Sequence, residues 1–418
     1  MRRVSTNQSS IDQRYYMNLQ EWRMNQLQNK MSSQSRIKEL RDDPLSAGHS
    51  TRYQSQITRM RRYSTNIERA RGNLALMEGN IHSTVDILQR VRELSVQGAN
   101  GIYNKQQLTY MAEEVNQLLN EMVKIANARS TEGTTLFSGF MTQIEPFRVH
   151  TAKVPGSKGE VISRLDYIGN IGLNMVEISE RATMPYGIPG NYAFWAENQQ
   201  IYSSTEALEY RVQQDSKIRL DGVDISLKEG DNVFAVISKI NDSTAPLRAR
   251  IDPVNNSLVL ETTFAHQIWA EDIGGGSVLK DLGIISPGGE RSNVPPLNFS
   301  DSAMVSGGSI FDMVIYLRDR FYAGDSEAAG GRALKGIDLA INSLTTTLAE
   351  VGARDNRLQV TMDKLSYELP EFIKRNSEEV DLDLSEAIME LKMLEYTHKA
   401  ALGTAARILK PTLLDFLR

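Results

Sequence analysis

The residue types that carry most enzyme and cofactor chemistry are scarce in this chain. Its 418 residues include no cysteine, which removes disulfides, thiolate nucleophiles and cysteine metal sites together. The five histidines, His49, His82, His150, His266 and His398, lie far apart and form no HExxH or other paired-ligand spacing. Each therefore reads as a surface or seam histidine rather than a metal ligand or general base. No run of about 18 apolar residues is present to span a bilayer. The opening MRRVSTNQSSIDQR follows its two arginines with no apolar stretch, so it is no ordinary secretory signal. Excess positive charge is missing as well. A net charge of -5 and a pI of about 5.7 speak against binding by phosphate neutralisation, and so against a nucleic-acid partner.

Two motifs that mimic catalytic ones have structural readings. AGGRALKG at 329 to 336 places Lys335 among glycines, but no Ser or Thr follows that lysine, so it is a break between helices rather than a phosphate cradle. Asp42-Asp43 and Asp381 with Asp383 directly precede expected helices. Carboxylates there meet unsatisfied amides and the positive dipole end, and capping is the assigned role.

What the chain does have is heptad spacing. Tyr53, Met60, Ile67, Leu74, Ile81 and Leu88 lie seven apart, and Tyr63, Ala70, Met77, Thr84 and Val91 interleave with them. That 3/4 alternation keeps one helix stripe facing a partner. The C-terminal half answers with Leu334, Ile337, Ile341, Leu344, Leu348, Val351, Leu358, Met362, Leu365 and Leu369, broken only by Asp355. The two seams are expected to pack on each other. As one helix, residues 45 to 97 would run about 80 Å at 1.5 Å per residue. Arg59, Arg61, Arg62, Arg69 and Arg71 fall mostly off this seam and form a solvated or subunit-contacting face.

A shorter first helix carries Met17, Met24, Leu27 and Met31, with polar Gln20 in register, and ends before Pro44. The long helix stops at GANG, with Gly98 and Gly101 as terminators. A third helix has the stripe Leu108, Met111, Val115, Leu118, Met122 and Ile125, and GTTLFSGF beyond it reads as a turn plus a short strand. From about 141 to 301 the pattern shortens to alternating runs. Candidate strands cover Phe147 to Val149, Ile218 to Leu220, Val223 to Leu227 and Ser257 to Leu260, with Asp221-Gly222 as a hairpin turn and a short helix at Asn232 to Lys239. Pro370 is expected to interrupt the C-terminal seam. The last helix carries Leu384, Ile388, Leu391, Leu402, Ala405 and Leu409, with Glu395 and His398 in two register positions.

The expected fold is mainly α with a β-rich insert: an elongated multi-helix coiled-coil bundle made from both chain ends, enclosing a central β domain. Its expected divisions are 1–40 with 378–418 as a terminal assembly domain, 41–140 with 302–377 as a coiled-coil rod, and 141–301 as the insert. The terminal stripes are imperfect, so they would complete their burial only against neighbouring subunits. The candidate interface is Met17, Met24, Leu27, Met31, Ile388, Leu391, Leu402, Leu409, Leu413 and Phe416. Opposite charge supports pairing of the ends: residues 1 to 40 carry net +4 and residues 378 to 418 net -3.

These features together resemble bacterial flagellin and its relatives. Arg36 with Asp42-Asp43-Pro44 looks like that family's loop signature, and Leu136-Phe137-Ser138-Gly139 is similar to the motif closing its N-terminal helical block. Tyr167-Ile168-Gly169-Asn170 resembles an element of its hook-associated members, and Ile240-Asn241 its IN motif. The end of the chain, Asp381, Ala387, Leu394, Ala401 and Leu413-Leu414-Asp415-Phe416-Leu417, looks like the terminus of the hook-filament junction members. Two positions depart from the family. Gln34 stands where relatives usually have glycine, and the loop reads DDP where most flagellins have DDAAG.

The resemblance implies a non-enzymatic structural subunit without a cofactor, exported through the flagellar secretion channel without a cleaved signal. It would join the hook, through hook-associated protein 1, to the flagellin filament. Its implied partners are hook-associated protein 1, flagellin, other copies of itself and an export chaperone, with no nucleic acid and no membrane insertion. Filament flagellin remains the alternative within the family. A coiled-coil signalling module is disfavoured by the missing membrane span, and a secreted adhesin or enzyme would need side chains converging within 141–301.

Overall fold

The structure is a computed structural model that describes residues 8–39, 41–286 and 295–408. Its helices and strands follow in the order α1 Gln8–Ser33, α2 Pro44–Ala99, α3 Lys105–Ala126, β1 Phe147–Lys153, β2 Glu160–Tyr167, β3 Met175–Ser179, β4 Ala182–Pro185, α4 Gly190–Ala193, β5 Gln200–Glu206, β6 Ser216–Leu220 and β7 Val223–Leu227. Then come α5 Val233–Asn241, β8 Leu247–Ile251, β9 Ser257–Thr262, β10 Ala270–Ile273, α6 Val278–Asp281, β11 Met304–Ser306, α7 Ile310–Ala323, α8 Ser326–Ala328, α9 Leu334–Val380 and α10 Leu384–Ile408. Long terminal helices thus bracket a β-rich centre, as the periodicity predicts. Contacts divide the chain into two compact units, Met1–Thr65 with Met362–Arg418, and Asn66–Thr361.

In the first unit, α2 and α9 run antiparallel. Ser50 bonds Asn376 at 2.9 Å, the Tyr53 and Phe372 rings are 6.2 Å apart, and the Ser64 hydroxyl reaches the Met362 sulfur at 3.3 Å. Advancing along one helix therefore means retreating along the other. Pro370 lies inside α9 without breaking it, contrary to the expected interruption. Its ring and the carbonyl it leaves without a helical partner belong to exposed Pro370 and Ser366, on the side of the helix open to solvent, while Leu369 and Phe372 continue the seam.

The second unit holds the dry part of the seam. Ile67, Leu74, Ile81, Leu88 and Val91 on α2, and Ile337, Leu344, Val351 and Leu358 on α9, are fully buried. Arg71 makes a two-point bond to Asp355, Nε to Oδ1 at 2.8 Å and Nη2 to Oδ2 at 3.2 Å, so the one break in the C-terminal stripe is filled by a charge from α2. Gly98 is not a helix terminator but a packing position. A Cβ there would lie 2.3 Å from the Phe321 ring. The α3 helix, opened by an Asn104/Gln107 capping box, buries Leu108, Ala112, Val115, Leu119 and Met122 and packs on α7. Ala112 and Leu119 are the fully buried positions where Met111 and Leu118 were expected, and those two stay half-buried beside them.

The insert forms sheets ordered β1-β2, β3-β4, β10-β6-β7 and β11-β5-β9-β8. Asp221 and Gly222, at φ 46 and 84, make the two-residue turn between β6 and β7 that the sequence signals. Helix α5, capped by Asn232, buries Val233, Val236 and Ile240 in a core with Ile218, Leu220, Leu258 and Leu260. The expected strand in GTTLFSGF is absent. Residues 133–140 form a bent loop anchored by buried Leu136 and Phe137. Among the described residues, no helix is long and apolar enough to cross a membrane.

Candidate assembly site

Helices α1 and α10 pack together within the first unit. The less exposed positions include Gln13, Met17, Gln20, Met24, Leu27 and Met31 on α1, flanked by Leu19, Gln26 and Lys30, and Ala387, Leu391, Leu394, His398, Ala401 and Ala405 on α10. Each set follows 3/4 spacing, so the helices meet along one stripe apiece. Among the described residues of these two helices, only Leu27, Ala387 and Ala405 are buried. Polar side chains interrupt the stripe: the Oε1 atoms of Gln13 and Gln20 and the Nδ1 of His398 are buried without a hydrogen-bond partner among the described residues. The other His398 nitrogen is 3.8 Å from Glu21.

The candidate interface residues therefore divide. Met17, Met24, Leu27, Met31 and Leu391 lie on the stripes that α1 and α10 present to each other, whereas Ile388 and Leu402 are 43% exposed on a flank of α10. Leu409, Leu413 and Phe416 lie outside the described residues. Glu395, expected in register with His398, is exposed. The periodicity missed a second apolar set turned away from the pair: Ile11, Tyr15 and Trp22 on α1, and Met389, Met393 and Tyr396 on α10, all more than half exposed. Their spacing of four and seven, or four and three, is itself helical. Overlap of two apolar stripes on one helix hides both from a single-register reading.

The loop between α1 and α2 supports this pair. Gln34 adopts φ 52; its N–H bonds Met31 O, and Ser35 N–H bonds Lys30 O, the 5→2 and 6→1 pattern of a helix stop that usually takes glycine. Glutamine here thus keeps the left-handed turn, at a cost of about 1 kcal/mol. Arg36 Nη2 donates to Glu379 O at 2.8 Å and to Ser46 Oγ at 3.2 Å, and it lies 3.8 Å from Asp43. Asp43 Oδ1 accepts the N–H groups of Leu45 and Ser46, capping α2 just ahead of Pro44, and Asp383 does the same for α10 through Ser385 and Glu386. Asp42 closes the loop by accepting from Lys38 and Glu39, and Asp381 accepts the Ser377 hydroxyl. One carboxylate of each pair caps a helix and the other holds a turn. Both Asp42 and Asp43 are held below the ordinary carboxylate value by these amides.

In the second unit two separate motifs prove to be one structure. The Tyr167 hydroxyl donates to Asn170 O at 2.8 Å and lies 3.1 Å from Phe137 O, and burial pushes its phenol upward. Asn170 Oδ1 accepts from Phe140 N–H at 2.8 Å, and its own N–H bonds Ser138 O. Gly139, at φ 68, leaves no room for a side chain, because a Cβ would fall 2.2 Å from Asn170 Oδ1. Leu136-Phe137-Ser138-Gly139 and Tyr167-Ile168-Gly169-Asn170 thus interlock, with Phe137, Phe147, Phe194 and Phe311 ringed beside them. Ile240 is buried, and the Asn241 amide clamps Ala249 by two bonds of 3.0 and 2.8 Å, tying α5 to β8.

His266 departs from the expected surface or seam placement. It is fully buried, with Nε2 2.9 Å from Asp221 Oδ2 and Nδ1 2.9 Å from Phe264 O, and stacked on Tyr192. With both groups at 0% exposure no substrate reaches them, so the pair is a pin holding the hairpin turn to residues 264–269. Among the described residues, no group of His, Asp or Glu could hold a metal ion.

Residues 4–142 match the family described as the bacterial flagellin N-terminal helical region, and residues 212–263 match the flagellin hook IN motif. Both matched regions are those of the flagellin family. That family is structural rather than enzymatic, and the N-terminal match takes in α1, the capped loop, α2 and α3. A 33 kDa flagellar filament core protein of Treponema phagedenis is 36% identical over 110 residues, 26% of this chain and 38% of that relative. The chain therefore spans less than half the length of that relative. Flagellin E of Vibrio cholerae is 24% identical over 413 residues, 97% of this chain and 96% of its own. Among solved structures, flagellar hook associated protein-3 of Legionella pneumophila has a TM-score of 0.46 at 15% identity, covering 78% of this chain and 97% of that one.

Proposed function

We propose that this flagellin-family chain is the hook-filament junction subunit, the hook-associated protein 3 of its flagellum. It would bind hook-associated protein 1 on one side, flagellin on the other and further copies of itself around the ring, after export in the company of a chaperone and without a cleaved signal. On this reading residues 1–40 with 378–418 form the assembly domain, 41–140 with 302–377 the rod, and 141–301 the insert.

The observation that carries assembly is the second apolar stripe on α1 and α10. Helices that, among the described residues, bury only Leu27, Ala387 and Ala405, yet expose Ile11, Tyr15, Trp22, Met389, Met393 and Tyr396, gain stability by acquiring neighbours. Placement at the junction is favoured by Asp42-Asp43-Pro44, by the Tyr167 to Asn170 element and by the C-terminal Leu413 to Leu417 sequence. Filament flagellin is the second reading, favoured by the nearly full-length match to Flagellin E. Labelled antibody on isolated hook-basal-body and filament preparations separates them. Label confined to the end of the hook is the expected result, and label along the filament would transfer the chain to the second reading.

A further inference from the structure

The second unit carries a cleft that the terminal helices do not explain. It opens between the end of α3 and the start of β1, with a volume of about 760 Å³. Its walls combine apolar Ile144, Val149 and Ile168 with the cations Lys124, Arg129 and Arg148. Arg129 has Glu145 at 4.0 Å, whereas exposed Lys124 and Arg148 form no ion pair among the described residues. A cleft with two uncompensated cations and a greasy floor fits an anionic, amphipathic occupant.

The same chain provides one. No lysine or arginine occurs between Arg375 and Lys392, while Glu378, Glu379, Asp381, Asp383, Glu386 and Glu390 do. Most of these acids have local partners, but Glu386 and Glu390 make no ion pair among the described residues and are exposed. At i, i+3, i+4 and i+7, Glu386, Met389, Glu390 and Met393 share one face of α10, and the two methionines are 66% and 69% exposed. That face is about 10 Å long. Methionine is the apolar side chain that adapts best to an irregular floor.

We infer that the α3/β1 cleft receives the Glu386/Met389/Glu390/Met393 face of α10 from a second copy of this chain, the carboxylates meeting Lys124 and Arg148. The inference rests on the assembly reading above. Used once per neighbour, two different, complementary patches join copies head to tail, and such contacts repeat into rings or helical tubes.

Because the chain has no cysteine, an introduced pair reports the contact directly. The full-length Arg148→Cys/Glu390→Cys variant, made in cells in place of the native chain, should give a ladder of disulfide-linked copies when isolated flagella are oxidised. Neither single variant should do so. Incorporated chains that stay monomeric, or that link to a different protein, overturn this contact while leaving the junction reading intact. Where the double variant does not enter flagella, the charge-reversal set below decides in its place. Charge reversal gives an independent reading. Lys124→Glu with Arg148→Glu should reduce incorporation by about tenfold, and adding Glu386→Lys with Glu390→Lys should restore it. Failure to restore, with unchanged circular dichroism of the purified chain, also overturns the contact.

Discussion

Helices α2 and α9 contribute to both compact units, yet the same two helices are buried very differently in each. Within the second unit their seam is dry, with Ile67, Leu74, Ile81, Leu88, Ile337, Leu344 and Val351 at 0% exposure. Within the first, Tyr53 is half-buried and Ile57 and Met60 retain 8% and 9%. The α1 and α10 pair in the same unit leaves Ile11, Tyr15, Trp22, Met389, Met393 and Tyr396 more than half exposed. A fully buried leucine contributes about 2 kcal/mol, while ordering one residue costs about 1 to 2 kcal/mol. Heptad spacing therefore announces a helix in both units, but its stability follows the number of neighbours each stripe finds.

The largest expected effect tests the dry seam. Leu74→Asp or Leu344→Asp should each cost about 4 kcal/mol or more, because a carboxylate enters a site with no water and no partner. Leu27→Asp, in the sparsely buried pair, should cost less than half as much. Thermal unfolding of the purified variants measures both, and equal losses would erase the contrast between the units.

Limited proteolysis draws the contrast within one molecule. In the free chain, residues 1 to about 40 and about 378 to 418 should be cut first, leaving a resistant core. Mass spectrometry of the fragments identifies the sites. Termini that resist as long as 66–361 would contradict the assignment of their stability to neighbouring subunits.

Acid should separate the units by sign. In the first, Asp42, Asp43 and Glu379 are held below their ordinary values, chiefly by the Glu39 N–H, the Ser46 N–H and the His49 ring respectively. Depressed carboxylates stabilise above the unfolded pKa, and that contribution disappears as pH falls through the folded value, here below 3.8 for the aspartates. In the second unit, burial raises Asp272 and Asp312. Ionising those two opposes folding, and protonation relieves the cost as pH falls, although Asp224 and Asp231, held low by Arg219 and Lys239, follow the usual sign. Hydrogen exchange followed by pH should show α1 and α10 loosening below 3.8 before the seam of α2 with α9; simultaneous loss would remove the distinction.

The smallest effect concerns the loop. Gln34→Gly should stabilise the α1 stop by about 1 kcal/mol, since glycine holds φ 52 without the Cβ penalty. Slower exchange at the end of α1 is the expected reading, and faster exchange would mean that the glutamine side chain supports the turn.

Much of this was legible in the sequence because a coiled-coil seam repeats its demand every heptad, so Met60 to Val91 and Ile337 to Leu365 announce themselves many times over. The Asp221-Gly222 turn and the Asn232 cap are equally local. What escaped depends on partners distant in sequence. His266 looks solitary until Asp221 is brought beside it, and Asp355 looks like a flaw until Arg71 arrives. Leu136 and Phe137 resemble a strand because two adjacent apolar residues carry no period. Pro370 resembles a break because the sequence does not say which side of a helix faces water. In α10 the stripe through Ala387, Leu394, Ala401 and Ala405 is drawn mostly in alanine, and the larger Leu384, Ile388 and Leu402 beside it attract the eye to the exposed flank.

The Arg71–Asp355 bond has a consequence for error correction. An apolar seam that repeats every seven residues accepts a slide of one heptad with little change in burial, so leucine and isoleucine alone cannot tell the correct alignment from its neighbours. Sliding α9 by seven residues would bring Asp355 level with Glu78 in one direction and with Ser64 in the other. The first opposes two like charges, and the second strands a carboxylate beside a group that cannot neutralise it. The Arg71–Asp355 pair, modest in strength because both side chains are about one-third exposed, thus joins Arg92–Asp338 at 2.6 Å in making one alignment of two long helices distinguishable from its near copies.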